Sequence, residues 1–296
     1  MTAKNINFLL LLMLLTVCSS SCSMEDKIID SGKTFERGYF ADDWKYVFNM
    51  NEPDQNAFRL WLPEDIIPRA VIVLAPGNAS DGTNLVNHID WQEFARNEKV
   101  ALLGAFVRSD TEIAATNLLI ALNEISKERN IEYISDLPLL LRGHSHGGRF
   151  SYEFANFHPK KVVAFANIKG PLENTSTDLP PGLFIVGEKD LVARNETIKN
   201  AFLSQREKKN VICYAEELGG GHGVGDADDL VRVFFSSVLK KRLINGELID
   251  LNEEEEILAN IDNFEAYSYA NYPYNKEEAA CLIDDDFKIA WLQYVK

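Results

Sequence analysis

The sequence predicts an α/β fold, with a mostly parallel central sheet and helices on both faces. Three observations carry this. Short apolar runs alternate with segments of helical spacing from residue 70 onward. The runs lack polar alternation, as strands covered on both faces do. Several end in glycine-containing turns, where open parallel sheets place their working groups.

The elements follow in order. Residues 35–62 read as antiparallel lead-in strands, around Tyr46-Val47-Phe48 and Phe58-Arg59-Leu60-Trp61-Leu62. Residues 70–75 form the first buried strand, followed by a helix near 90–97 and a second strand over 100–107. Residues 117–127 have helical spacing through Leu118, Leu119, Ala121, Leu122 and Ile125. Leu137-Pro138-Leu139-Leu140-Leu141 is a strand, and Phe150, Tyr152, Phe154 and Phe157 mark the helix after it. Residues 162–166, 181–187 and 211–215 are further strands.

Between the 137–141 strand and its helix stands Gly143-His144-Ser145-His146-Gly147-Gly148. This is a G-x-S-x-G turn. A sharp strand-to-helix reversal brings backbone segments so close that a Cβ at the flanking positions clashes, and the serine is held with Oγ outward. Ser145 is therefore the candidate nucleophile. Asp190 follows just past the strand that ends at Gly187, with Glu188 its nearest competitor. His222 follows in the glycine-rich loop Gly219-Gly220-Gly221-His222-Gly223. The order Ser145, Asp190, His222 suits a nucleophile, base and orienting acid.

An oxyanion hole needs two N–H donors. The residue after the nucleophile, His146, supplies one. The loop Pro76-Gly77-Asn78-Ala79 after the first buried strand supplies the other, with Asn78 expected and Ala79 the alternative. His144 and His146 are spaced by one residue, but side chains either side of a tight elbow point apart, and no carboxylates accompany them at zinc-site spacing. No metal and no cofactor are expected. His88 and His158 read as surface residues.

These motifs resemble the α/β-hydrolase superfamily over residues 58–243. A closer likeness is to bacterial secreted esterases of the dienelactone-hydrolase or polyester-depolymerase-like group. It rests on residues 145–170, with Tyr152, Phe154, His158-Pro159 and Asn167-Lys169-Gly170, and on the stretch from Gly182-Leu183-Phe184 to Asp190. Ala75-Pro76-Gly77 departs from the His-Gly of many relatives. The resemblance implies ester hydrolysis through Ser145, Asp190 and His222 and fixes neither the acyl group nor the alcohol. The link from Gly170 to Pro181 is too short for a large cap domain, so an open cleft is expected.

The ends of the chain carry other signals. Lys4 precedes an apolar run over residues 8–17, shorter than the about 20 residues that span a bilayer. Residues 1–22 read as a signal segment resembling that of a lipoprotein. Cys22, preceded by Ser21, fits lipidation better than Cys18. The chain is then expected outside the cytoplasm, in the periplasm or at the cell surface, touching membrane only through that anchor. Residues 23–245 are assigned to the hydrolase domain. Residues 246–296 form an acidic, aromatic extension expected to pack on it, with Trp291 and Tyr294 buried and Glu253–Glu256 on a solvated helix face. Cys213 lies in a strand and reads as a core thiol.

The net charge of −15 argues against nucleic acid as a partner. The expected partner is a small-molecule or polymer-borne ester. The leading expectation is a secreted serine carboxylic-ester hydrolase acting on acylated carbohydrate or polyester. The alternatives are a serine peptidase of the same fold and a non-catalytic surface lipoprotein with a hydrolase shell.

Overall fold

The computed structural model describes residues 56–77, 80–172 and 178–296, with the backbone of 35–37 and 44–48. The signal segment, Cys22, Asn78 and Ala79 lie outside the described residues.

The main sheet uses β1 (Phe35–Arg37), β2 (Trp44–Phe48), β3 (Asn56–Trp61), β4 (Val71–Ala75), β5 (Ala101–Val107), β6 (Leu139–His144), β7 (Val162–Ile168), β8 (Gly182–Gly187) and β9 (Ile212–Glu217). Among the described residues their order is β1-β2-β3-β5-β4-β6-β7-β8-β9. The strands from β4 to β9 pair in parallel, and β3 joins β5 antiparallel, as expected for a lead-in. The chain leaves β4 for β5 on one side and returns to β6 on the other. The strand order therefore reverses at β4/β6, and the carboxyl ends of these two strands flank the crevice where open α/β sheets bind ligands.

Helices cover both faces. α1 (Ile89–Glu98) and α6 (Ala227–Arg242) lie on one, where Trp91, Ala95, Leu230, Phe234 and Phe235 meet Ile72, Leu74 and Leu140. α2 (Thr111–Glu128), α4 (His146–Phe157) and α5 (Val192–Glu207) lie on the other, where Leu118, Phe150, Phe154 and Phe202 meet Val71, Leu103 and Leu141. Successive strand residues alternate between these cores, so each strand must be apolar throughout. The short α3 (Tyr133–Asp136) leads into β6.

The acidic C-terminal region is ordered. After the small hairpin β10 (Leu243–Ile244) and β11 (Glu247–Leu248), β12 (Ile257–Ala259) pairs with β13 (Ala266–Ser268) and β14 (Ala280–Leu282). α7 (Asp285–Tyr294) closes the chain. Leu258, Cys281, Phe287 and Trp291 join the same core as α6. Trp291 is buried and donates its indole N–H to Tyr214 O at 2.8 Å, whereas Tyr294 is only half-buried.

The glutamate run differs from expectation. It forms a single 3-10 turn, and Glu253 and Glu256 are buried. Arg206 donates to Glu253 at 2.8 Å and Lys241 to Glu256 at 2.9 Å. Partner cations reached across the fold offset the cost of burying these carboxylates, and local charge patterning gives no sign of them. Cys213 and Cys281 are both free and buried.

Candidate active site

Ser145 sits between β6 and α4 with φ 53° and ψ −118°. A non-glycine residue adopts such a conformation only where its surroundings enforce it. The Ser145 N–H donates to Ile168 O at 2.8 Å, and the Gly147 N–H donates to Pro76 O at 3.1 Å. The elbow is thus tied to β7 and to the loop after β4. A Cβ on Gly143 would lie 1.8 Å from Gly147 O, and one on Gly147 would lie 2.3 Å from Ala75 O. Neither position has room for a side chain.

The three residues selected from sequence converge. Ser145 Oγ lies 2.9 Å from His222 Nε2. His222 Nδ1 lies 2.9 Å from Asp190 Oδ2. Asp190 is anchored at the start of the β8–α5 turn, where its N–H donates to Gly187 O at 2.9 Å. Its Oδ1 accepts the Leu191 N–H at 2.7 Å and the Arg194 guanidinium. Burial works to raise the Asp190 pKa. The hydrogen bonds from His222, the Leu191 N–H and Arg194 outweigh it and hold the carboxyl below its ordinary value. Glu188 does other work: its Oε2 accepts the Gly219 N–H at 2.6 Å, so it fixes the start of the histidine loop.

That loop is held from below by His144 and Lys169, for which the sequence suggested no such role. His144 Nε2 lies 2.6 Å from the carbonyl oxygen of His222. A carbonyl only accepts, so this nitrogen carries the proton. Lys169, directly after β7, donates to Gly223 O at 2.6 Å and pairs with Glu217 at the end of β9. Burial lowers the His144 pKa, and it outweighs the hydrogen bond to the His222 carbonyl oxygen, which acts to raise it. The His144 and His222 rings stand 5.2 Å apart. Arg194 lies one helical turn beyond Asp190 and sits against His222. Its i, i+4 spacing from Asp190 was a readable signal.

His146 opens α4, where a first-turn N–H has no intrahelical acceptor. That N–H belongs to the residue directly after Ser145. Burial lowers the pKa of the His146 ring, with Arg149 adding to the shift and Glu153 opposing it. Asn78 lies outside the described residues. Its neighbour Gly77 is close to the nucleophile, because a Cβ there would lie 3.4 Å from the Ser145 Cβ. Among the described residues no group of three or more His, Cys, Asp or Glu side chains could hold a metal ion. The His222 side chain is 40% exposed, so the triad opens to solvent.

No family model and no curated protein matches the chain. Solved structures do. A thermostable esterase aligns at 14% identity and TM-score 0.53, covering 67% of this chain and 63% of its own. Thermogutta terrifontis esterase 2, phosphonylated by cyclosarin, aligns at 14% identity and TM-score 0.50, covering 71% of this chain and 94% of its own. With its sheet order, elbow and helix placement, the chain has the α/β-hydrolase fold.

Proposed function

We propose that this chain is a serine hydrolase that cleaves carboxylic esters through an acyl-serine intermediate. The observation that carries the proposal is the continuous chain of contacts from Ser145 Oγ to His222 Nε2 and from His222 Nδ1 to Asp190, each at 2.9 Å. Both structural neighbours are esterases, which agrees with it.

In this mechanism His222 Nε2 takes the Ser145 proton as Oγ attacks the ester carbonyl. Asp190 accepts the Nδ1–H and stabilises the imidazolium. The oxyanion binds the His146 N–H and a second N–H from the loop at Asn78. The imidazolium then protonates the departing alcohol. Water, deprotonated by the same nitrogen, hydrolyses the acyl-serine and returns the proton to Oγ. No metal or cofactor enters.

The exposed edge of His222 leaves the triad accessible, and we assign the substrate class as a polymer-borne or small-molecule ester. Acylated carbohydrate and polyester are the first classes to assay. We also propose that residues 1–22 direct export and that Cys22 carries the lipid anchor; loss of lipid labelling in Cys22→Ala tests the latter.

The decisive experiment pairs Ser145→Ala with a fluorophosphonate probe. Wild type should be labelled at Ser145 and should hydrolyse short aryl esters. The variant should lose both, with kcat down about 10⁴-fold or more. Undiminished hydrolysis in Ser145→Ala would refute the assignment. Cleavage of peptides but not esters would point to a peptidase.

A further inference from the structure

Arg194 occupies a position that the reaction above does not explain. One nitrogen of its guanidinium, Nη1, donates to Asp190 Oδ1 and also lies 2.8 Å from His222 Nδ1. The Arg194 side chain is 20% exposed and Asp190 only 3%, so the contact is partly shielded from water.

The two partners of His222 Nδ1 make opposite demands. Asp190 Oδ2 can only accept, so it favours a proton on Nδ1. A guanidinium can only donate, so Arg194 favours a bare Nδ1. With the proton on Nδ1, Nε2 is bare and can take the Ser145 proton. With Nδ1 bare, a neutral ring carries its proton on Nε2 and cannot act as a base toward Ser145. Arg194 and the Leu191 N–H also share Oδ1, which draws charge from the carboxylate that would hold the productive tautomer.

We propose that Arg194 is a positioning residue that competes with Asp190 for the Nδ1 side of His222 and so sets the fraction of the imidazole poised as a base. The assignment rests on the triad reading given above.

The other charged groups near His222 do not supply this effect. His144, from β6, meets the His222 carbonyl oxygen rather than Nδ1. Lys169, after β7, lies below the loop at Gly223 O and is paired with Glu217 of β9. Arg142 is paired with Asp228 of α6. Only Asp190 and Arg194 meet the Nδ1 edge among the described residues.

The test uses the full chain with ¹⁵N-labelled histidine, because the two ring nitrogens report the tautomer whether or not a substrate is known. In Arg194→Gln the ratio of Nδ1–H to Nε2–H on His222 should rise by about tenfold, the scale of one charge-assisted hydrogen bond. Arg194→Lys keeps the charge and should stay nearer wild type, which separates this role from simple packing. An unchanged tautomer ratio in Arg194→Gln overturns the proposal. A chain that hydrolyses no ester sinks the esterase reading instead, and leaves the tautomer measurement to decide the role of Arg194.

Discussion

Lys169 and Glu217 form an ion pair beneath the His222 loop, with the lysine side chain fully removed from water. The same ammonium donates to Gly223 O, and the same carboxylate accepts the Asp226 N–H at 3.3 Å. One pair thus fixes the part of the loop that follows His222, at Gly223 and Asp226. Removing one partner of a buried pair costs more than the pair itself contributes, because the other charge stays buried.

Lys169→Met should therefore destabilise the chain by about 3–5 kcal/mol. At this chain size that corresponds to a fall in Tm of about 10 °C. Activity should fall even at temperatures where the variant is folded, because the Gly223 carbonyl loses its donor. Lys169→Met with Glu217→Leu should recover part of the stability, since no charge is left stranded. Thermal unfolding of the three proteins is the measurement. A single variant as stable as wild type would contradict the role given to the pair.

His144 gives a prediction in pH. Its folded-state pKa is lowered by burial, which outweighs the opposing hydrogen bond to the His222 carbonyl, with the nearby cations Arg142 and Lys169 adding to the lowering. Between that lowered value and the ordinary histidine value of about 6.5, the unfolded chain binds more protons than the folded one. Stability is therefore full above about pH 6.5 and falls as the pH drops below it. His146 and His158 are lowered in the same direction, so they contribute to the same slope. His144→Gln removes one contributor, and its Tm should depend less steeply on pH between about 5 and 7. Unchanged slopes in the two proteins would rule His144 out as a contributor.

The triad was legible because its chemistry is written locally. A serine between glycines after an apolar run, an acid at a strand end and a histidine among glycines each need only a few neighbouring residues. The strands were legible because a sheet covered on both faces must be apolar without interruption. Lys169 and Arg206 were not, because their partners stand 48 residues away at Glu217 and 47 at Glu253; for Arg194 only the spacing to Asp190 is local, and its contact with His222 lies 28 residues on. Such pairings depend on the fold bringing distant elements together. The glutamate run misled for the same reason. Its period suggests a solvated face, yet Arg206 and Lys241 draw Glu253 and Glu256 inward.

Gly147 and Gly221 should respond unequally to the same substitution. A Cβ at Gly147 meets Ala75 O at 2.3 Å and Pro76 O at 2.5 Å, all of it backbone. Gly147→Ala must push the elbow away from the loop after β4, which moves the His146 N–H relative to Ser145. Overpacking of this kind costs about 1–3 kcal/mol. A displacement near 1 Å can lower the rate by about 10²-fold. A Cβ at Gly221 meets nothing within 4 Å, so Gly221→Ala should change stability by less than about 0.5 kcal/mol. Comparing kcat and Tm for the two variants tests the elbow geometry. Equal effects would mean that backbone crowding is not what reserves Gly147 for glycine.

Arg206 decides whether the C-terminal region unfolds with the sheet. Its buried guanidinium donates to Ala279 O at 2.8 Å, Lys276 O at 3.0 Å and Glu253 Oε2 at 2.8 Å in that region, and to Asn210 O at 2.5 Å before β9. Arg206→Met leaves all four acceptors without this donor and strands the Glu253 charge. The expected cost is again about 3–5 kcal/mol. The same region shares its apolar core with α6 through Leu258, Phe287 and Trp291. Detaching it exposes the helix that covers one face of the sheet, so the loss should spread. Trp291 lies at that junction, hydrogen-bonded to Tyr214 of β9. Tryptophan fluorescence and far-ultraviolet circular dichroism should then report one coincident transition, in wild type and, at lower temperature, in Arg206→Met. Two separated transitions in wild type would mean that residues 246–296 dock as an independent unit, and that Arg206 is a clasp rather than part of a continuous core.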